Sequence, residues 1–508
     1  MKQKFGTFFI VPFYCNKSNK AQWPNINIWC KQTKRPTRES LYGEEDRGTI
    51  LPHIMQLLQG QTYQIDSDVQ PWSIYELNKK CRFYSELWKP LSERPLSAIL
   101  QPQKEDKEGN IVCKERIVEF SVDCGDTLQS PHMFINDKAD VGILVFHVKV
   151  KKADDINDLI DLNYAFHKLN EPCLCRCNDF SIKQPADKIQ NQTKPKIEWE
   201  ISGLIGMLFG NHLTNKTPDD STTEVEYLRN GKKMSVNNSY QLYSGSRIHL
   251  FTYATLDGAN LTSDADIDRA LVCLSRCVNR KYSLPIQQII ADGGILHTFE
   301  NVGFASSVEG CSCIAIGQKD LNEAFVSDFP SQLMYRYLWL YMLAIMQRFT
   351  MSGISSRLLE VEATLERRRN EPQPGGGKTD DTELWKLLNV YKHLKVTSYW
   401  MDVSPFSQHS QFFHFCCQHL HVQDTYDELD SKLNAIRLVE EHEINSNLRK
   451  QEKSEAKRDR NLSLLVAILT GVQAIGVAHS ISGGNIYAVI AGVVVIMVLL
   501  CILLRKSK

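Results

Sequence analysis

The sequence predicts an α/β cytosolic domain followed by a long α-helical stalk and a C-terminal two-helix transmembrane hairpin. Three observations support this fold class. The first 330 residues alternate short apolar runs with turn residues, a long stretch without glycine or proline follows later, and two uncharged runs end the chain. We divide the chain into an α/β domain at 1–330, a long helix at 331–371, a flexible linker at 372–381, a stalk helix region at 382–460, and two transmembrane helices with a short cytosolic tail at 461–508.

The composition is typical of a globular protein and argues against some partners. Apolar residues make up 43% of the chain and charged residues 23%, which suffices to build a buried core. The formal net charge is zero, so no global basic field favours nucleic-acid binding. Cysteines recur as Cys-x-Cys at Cys173 to Cys177 and at Cys311 and Cys313, which is not the Cys-x2-Cys spacing of zinc ribbons. We therefore expect free thiols in a reducing compartment and no metal site.

The α/β domain is predicted from strand-like and helix-like segments that alternate. Residues 139–150 and 246–256 are typical of strands, whereas residues 154–169 and 264–278 are typical of helices. The chain starts with lysines and an apolar run, but Pro12 and the lack of a small-x-small cleavage site argue against a secretion signal. We expect an aromatic-rich strand there.

Two long helices are predicted after the α/β domain. The first, Tyr335 to Arg369, has an apolar centre that charged and amide residues make too short for a membrane span, so we expect a buried core helix. The second is the stalk, whose apolar residues largely follow a four-three alternation suited to self-association. They are Val422, Tyr426, Leu429, Leu433, Ile436, Ile444 and Leu448. We expect the stalk helix to continue into the first uncharged run.

The two uncharged runs, Leu462 to Ile481 and Ile486 to Leu504, are each long enough to cross a bilayer as a helix. Lysine and arginine are enriched before the first run and after the second, so the positive-inside rule places both ends in the cytoplasm. Polar side chains in the first run either line a pore or only hold helices together. The pore-lining candidates are Ser463, Thr470, Gln473 and, at the turn, Asn485.

An α/β domain, a helical stalk and two C-terminal spans resemble the CorA-type metal-ion channels. Where that family carries Gly-Met-Asn, this chain reads Ser482-Gly483-Gly484-Asn485, without the methionine. The segments 337–358 and 422–434 are similar to the CorA-like effectors of type III CRISPR systems, which also lack the motif.

This resemblance implies an antiviral membrane effector that is not an enzyme. It would be a homo-oligomer, a pentamer by analogy, in the bacterial inner membrane, with its N-terminal domain and C-terminus cytoplasmic. The second messenger SAM-AMP, a nucleotide made from S-adenosylmethionine and ATP, would open the channel, and no nucleic acid would bind directly. The alternatives are a CorA-type divalent-cation (Mg) transporter and a sensor or scaffold that the hairpin only anchors in the lipid membrane.

Such a ligand requires cations for its phosphate, carboxylates for its amino group and sulfonium, and flat surfaces for adenine. The ligand-binding candidates form three clusters, Lys149, Lys151 and Lys152, then Asp219 and Asp220, then Arg229 and Lys232. Each cluster alone also fits an ordinary solvated surface.

The histidine-rich segment around Cys416 to His419 fits either metal ligands or a packed helix contact, and its phenylalanines favour the packed contact. The chain carries neither a phosphate-binding loop nor a nucleophile elbow, so we predict no catalytic residues and no cofactor besides the activating ligand.

Overall fold

The structure is a computed structural model of the full chain. The residues that it describes are 4–15, 29–31, 50–51, 54, 72–77, 86–91, 116–122, 131–136, 139–152, 155–167, 175–177, 197–199, 224–229, 232–237, 240–242, 247–257, 263–317, 323–370, 387–392, 395, 399–481, 487, 490–494 and 498. The chain divides into two compact units, Met1–Leu429 and Asp430–Lys508. The linker predicted at 372–381 lies outside the described residues.

A large mixed β-sheet forms the core of the first unit. Its strands follow the order β14-β15-β16-β13-β1-β7-β5-β4-β8-β9, with β12 beside β1, β6 beside β7, and β3 and β2 beyond β6. Strands β13 and β16 pair in parallel, whereas β1 pairs antiparallel with both β13 and β7. The strands are β1 Lys4–Cys15, β2 Trp29–Lys31, β3 Ser73–Leu77, β4 Glu86–Leu91, β5 Arg116–Val122, β6 His132–Asn136, β7 Val141–Lys152, β8 Cys175–Cys177, β9 Ile197–Trp199, β12 Tyr240–Leu242, β13 His249–Asp257, β14 Ile295–Phe299, β15 Val302–Ser306 and β16 Gly310–Gly317. Strands β10 Glu224–Arg229 and β11 Lys232–Asn237 form a separate two-stranded sheet.

The central strand β1 shows why this sequence forms a sheet. Its residues from Phe5 to Phe13 are all buried, so both faces of the strand are covered. A strand covered on both faces has a continuous apolar run instead of an alternating one, and "FGTFFIVPF" is such a run. The aromatic-rich strand predicted at the start of the chain is therefore confirmed.

The main helices of the described residues are α1 Ile156–Phe166, α2 Asp264–Ser275, α3 Ile286–Ala291, α4 Glu323–Gln332, α5 Leu338–Asn370, α6 Ser407–His419 and α7 Val422–Ile481, and residues 387–392 and 490–494 are also helical. A π-helical turn, Leu333–Tyr337, joins α4 to α5. It follows Pro330, which has no N–H to donate to the regular helical ladder. The side chains of Asp155 and Ser263 accept hydrogen bonds from backbone N–H groups at the starts of α1 and α2. The segments predicted as two strands and two helices are found as β7, β13, α1 and α2.

Helix α5 packs directly on the sheet, as predicted for a buried core helix. All residues from Leu338 to Gln347 are buried. At Gly353 the helix comes so close to the turn before β7 that a Cβ atom would lie 2.5 Å from the carbonyl oxygen of Ala139. Arg357 Nε lies 3.5 Å from Asp140 Oδ2 in the same turn. These contacts fix α5 against β7.

The predicted transmembrane hairpin is wrong. Among the described residues, no helix combines the length and the apolar character that crossing a lipid bilayer requires. The run Leu462 to Ile481 is the last part of α7, directly after the charged turns at 449–460, and polar side chains interrupt its apolar surface. The second run is described only at 487, 490–494 and 498. This finding contradicts three predictions. They are the transmembrane part of the fold class, the interpretation as a membrane protein and ion channel, and the location in the bacterial inner membrane.

Helix α7 is one continuous helix from Val422 to Ile481, which agrees with the expected continuation of the stalk into the uncharged run. Within the first unit the apolar residues at its start, Val422 and Leu429, are buried, so this part of the predicted seam is covered by the chain itself. In the second unit Leu448 is 51% exposed.

Candidate ligand-binding site

A pocket lies at the corner between α6 and α7, within the first unit. Its volume is about 280 Å³, close to the lower end of the roughly 300–1,000 Å³ that ligand pockets occupy. It therefore suits one nucleoside-sized part of a ligand. Aromatic, amide and charged side chains line it: Gln347, Tyr399, Trp400, Met401, Phe413, His414, Cys417, Gln418, His421, Val422, Gln423 and Asp424.

The inner face of α6 is fixed by a cluster of aromatic rings. The Phe412 ring lies 4.7 Å from the Phe304 ring of β15 and 5.1 Å from the Tyr337 ring, measured between centroids. The His409 ring meets Tyr337 edge-on at 5.2 Å. Burial, with a smaller contribution from Arg336, lowers the pKa of His409 to about 4. These contacts support the packed-helix interpretation of this histidine-rich segment and hold the opposite face of α6 towards the pocket.

The segment before α6 is tied to its surroundings by hydrogen bonds. The Gln347 side-chain amide of α5 donates to the Trp400 carbonyl at 3.3 Å. The Leu51 N–H donates to the Val403 carbonyl at 2.9 Å. The Ser410 hydroxyl donates to a carboxylate oxygen of Asp402, and this hydrogen bond lowers the pKa of Asp402. The backbone on this side of the pocket is therefore held by α5 and α6 together.

Trp400 provides an unused hydrogen-bond donor in the pocket wall. Its side chain is only 8% exposed, and its indole N–H finds no acceptor within the described part of the chain. A buried donor without an acceptor costs free energy, and most such groups in proteins are paired. A ligand atom that reaches the indole N–H and accepts its hydrogen bond would remove this cost.

A stack of tyrosines joins this segment to α7. The rings of Tyr399 and Tyr426 are stacked at 4.3 Å and 17°. The Lys395 ammonium lies 5.4 Å from the Tyr426 ring centroid, within the range of a cation–π contact. The Tyr399 hydroxyl donates to the Gln423 side chain. Partial burial, followed by the neighbouring Tyr426, raises the pKa of Tyr399, so its hydroxyl stays protonated at neutral pH.

The corner itself contains a residue in an unusual backbone conformation. Helix α6 ends at His419 and α7 begins at Val422, so only Leu420 and His421 connect them. His421 has a φ of 52°, in the left-handed region that few residues other than glycine adopt. Its ring Nδ1 lies 2.9 Å from Asp424 Oδ2. The pocket thus combines flat apolar surfaces with a carboxylate, two imidazoles and three side-chain amides.

The pocket has no features of a metal centre. No group of three or more His, Cys, Asp or Glu side chains among the described residues is placed to hold a metal ion. The cysteines of α6 do not supply thiolates, because burial raises the pKa of Cys416 and raises that of Cys417 to about 12. The side chains that line the pocket offer hydrogen bonds, charge and ring stacking to a ligand.

The structure distributes the predicted ligand-binding residues over different sheets. Lys149, Lys151 and Lys152 end β7 of the large sheet. Arg229 and Lys232 face each other across β10 and β11 in the two-stranded sheet. Asp219 and Asp220 lie outside the described residues. The convergence of these clusters on one ligand therefore stays a prediction.

The predicted pore-lining residues are exposed side chains of α7. Ser463, Thr470 and Gln473 are all exposed. The Thr470 hydroxyl donates to the Val466 carbonyl of its own helix at 2.8 Å, so it is satisfied locally. Asn485 lies outside the described residues. With the transmembrane hairpin corrected, a pore-lining role has no basis in the structure.

The residues of the pocket were not predicted as ligand-binding residues. The segment "YWMDV" at 399–403 and the histidines of α6 and the corner carry the available signal, because aromatic and titratable side chains are dense there. Other lining residues, such as Gln347 and Asp424, are ordinary helix residues in the sequence. Only the folded chain brings them beside Trp400 and His421.

No known protein family, curated protein or solved structure matches this chain. The similarity to CorA-like effectors therefore stays a hypothesis based on the sequence segments quoted for it.

Proposed function

We propose that the protein is a ligand-responsive effector that binds an adenine nucleotide in the pocket between α6 and α7. The observation that carries this proposal is the aromatic wall of the pocket, in which the Trp400 N–H has no acceptor among the described residues. The pocket lies at the start of α7, a helix of 60 residues. A small molecule bound in this pocket contacts the first turn of α7, the longest of these helices. The resemblance to type III CRISPR effectors names SAM-AMP as the ligand and antiviral defence as the process.

The pocket residues suit the parts of such a nucleotide. The rings of Tyr399, Trp400 and Phe413 offer flat apolar surfaces for a purine, and the Trp400 N–H offers a donor for one of its ring nitrogens. Asp424 offers a carboxylate for an amino or sulfonium group. The imidazole of His421 offers a donor for a phosphate oxygen. The volume holds one nucleoside, so the remainder of a larger ligand extends beyond the pocket.

Helix α7 is the output element of the proposed effector. It starts in the wall of the pocket and is continuous to Ile481. Self-association through α7, as the apolar alternation of the sequence suggests, is part of the proposal. Regulation requires that the ligand bind one arrangement of these elements more tightly than another, because a ligand with equal affinity for both shifts nothing.

Calorimetric titration of the full chain with SAM-AMP tests the proposal. ATP, AMP and S-adenosylmethionine serve as comparison ligands. We expect binding of SAM-AMP to the parent chain, and a loss of at least tenfold in affinity in Trp400→Leu. Tyr282→Leu is the matched control, since Tyr282 is an aromatic residue that is 52% exposed and does not line the pocket. Binding that is equally strong in Trp400→Leu would contradict the site, and no binding of any of the four compounds would contradict the function.

A further inference from the structure

The connection between α6 and α7 has the features of a hinge. It consists of two residues, of which Leu420 is buried and His421 is exposed. The left-handed backbone of His421 is unfavourable for a residue with a Cβ atom, and such conformations persist where surrounding contacts hold them. A conformation that depends on its contacts changes when those contacts are replaced.

The contacts that hold His421 are few and lie at the surface. Its carbonyl accepts hydrogen bonds from the Thr425 N–H at 3.1 Å and the Thr425 hydroxyl at 2.8 Å. Its N–H donates to the Gln418 carbonyl at 3.1 Å. Its ring contacts Asp424 at 2.9 Å, with both side chains well exposed. Exposed pairs of this kind are individually weak, so the arrangement is easily shifted by a competing partner.

The same side chains line the pocket. Both His421 and Asp424 face the space in which the proposed ligand binds. A phosphate oxygen that accepts a hydrogen bond from the imidazole takes the place of the Asp424 carboxylate. An ammonium or sulfonium group that binds this carboxylate takes the place of the His421 ring. Either event breaks the contact between His421 and Asp424.

We propose that His421 is a positioning residue through which an occupied pocket releases the first turn of α7. This inference rests on the proposed function. In the free chain the contact between His421 and Asp424 holds the left-handed corner and starts the helix at Val422. A charged ligand group takes one of the two partners, and the corner then relaxes.

Hydrogen exchange of the full chain with and without SAM-AMP, read by mass spectrometry, tests this inference. We expect slower exchange in peptides that contain residues 399–403, where the ligand binds. In peptides that cover residues 425–429 we expect exchange to become about tenfold faster, because the hydrogen bond from the Thr425 N–H to His421 is released. The two regions separate the two claims. Unchanged exchange in both contradicts the proposed function, whereas slower exchange at 399–403 with unchanged or slower exchange at 425–429 contradicts the hinge alone.

Three variants distinguish the imidazole from the backbone conformation. His421→Gly accepts the left-handed backbone but has no ring, and His421→Ala has neither property. His419→Ala is the control, because His419 lies two residues earlier, at the end of α6, and does not line the pocket. We expect both His421 variants to lose the ligand-dependent acceleration at 425–429 while His419→Ala keeps it. If His421→Gly keeps the full acceleration, the ring has no role and the inference is overturned.

Discussion

Two buried histidines predict how the stability of the first unit depends on pH. His249 lies in β13 against the Phe349 ring, and His409 lies in α6 against the Tyr337 ring. Burial, followed by the nearby Arg348, lowers the pKa of His249 from 6.5 to about 3. Burial and then Arg336 lower that of His409 to about 4. Both side chains are therefore neutral in the folded protein at every pH above about 4.

The direction of the effect follows from which state binds more protons. Below pH 6.5 the unfolded chain gains a proton on each histidine while the folded chain does not. The free energy of unfolding therefore decreases as the pH is lowered. One pH unit corresponds to about 1.4 kcal/mol for each group. Between pH 7 and pH 5 each histidine therefore removes about 2 kcal/mol, and the two together remove about 4 kcal/mol.

Urea unfolding at pH 7 and pH 5 measures this loss. Other groups also titrate, so the informative quantity is the difference between the parent chain and His249→Gln, His409→Gln and the double variant. We expect each single variant to reduce the loss of unfolding free energy by about 2 kcal/mol, and the double variant by about 4 kcal/mol. A double variant whose loss equals that of the parent would refute the reasoning that both histidines are buried in neutral form.

Three further predictions concern packing and the pocket. Arg357→Met removes the Arg357 guanidinium 3.5 Å from the buried Asp140 carboxylate. We expect a loss of about 3 kcal/mol in urea unfolding, of which Arg357→Met/Asp140→Asn regains at least half. An unchanged midpoint in the single variant would contradict this. Gly353→Ala places a Cβ 2.5 Å from a carbonyl oxygen, whereas a Cβ at Gly476 meets no atom of the described residues within 4 Å. Helix unfolding followed by circular dichroism should therefore show a loss of about 2 kcal/mol for Gly353→Ala and a gain of up to about 1 kcal/mol for Gly476→Ala. Trp400→Phe keeps the ring but removes the N–H, and we expect a roughly tenfold loss in SAM-AMP affinity by calorimetry, which an unchanged affinity would disprove.

Several elements were accessible from the sequence because their signals are local. The strands β7 and β13 and the helices α1 and α2 have apolar periodicities that match their burial, and Asp155 and Ser263 cap the two helices with their own side chains. The continuous helix α7 follows from the absence of glycine and proline over its first part. The uncharged run after Leu462 has the length and the lack of charge that predict a membrane span, but polar side chains interrupt the apolar surface of α7 there.

The pocket depends on information that is not local. Gln347, Trp400 and Asp424 are separated by tens of residues, and only the packing of α5, α6 and α7 brings them together. The left-handed corner at His421 also lacks the glycine that usually marks such a position. The basic clusters at 149–152 and 229–232 are easier to find in the sequence than the pocket, because each charged residue is identified by its type alone. The sequence does not show where these clusters lie in the folded chain.

Photo-crosslinking tests the central claim most directly, since it reports where the nucleotide sits on the full chain. An azido-adenine derivative of SAM-AMP is bound, irradiated and located by peptide mapping, with unmodified SAM-AMP as competitor. The account predicts labelling of the peptide that contains Tyr399 to Val403, suppressed by the competitor and reduced in Trp400→Leu. Labelling confined to the peptides around Lys149–Lys152 or Arg229–Lys232 would place the nucleotide elsewhere and contradict the account.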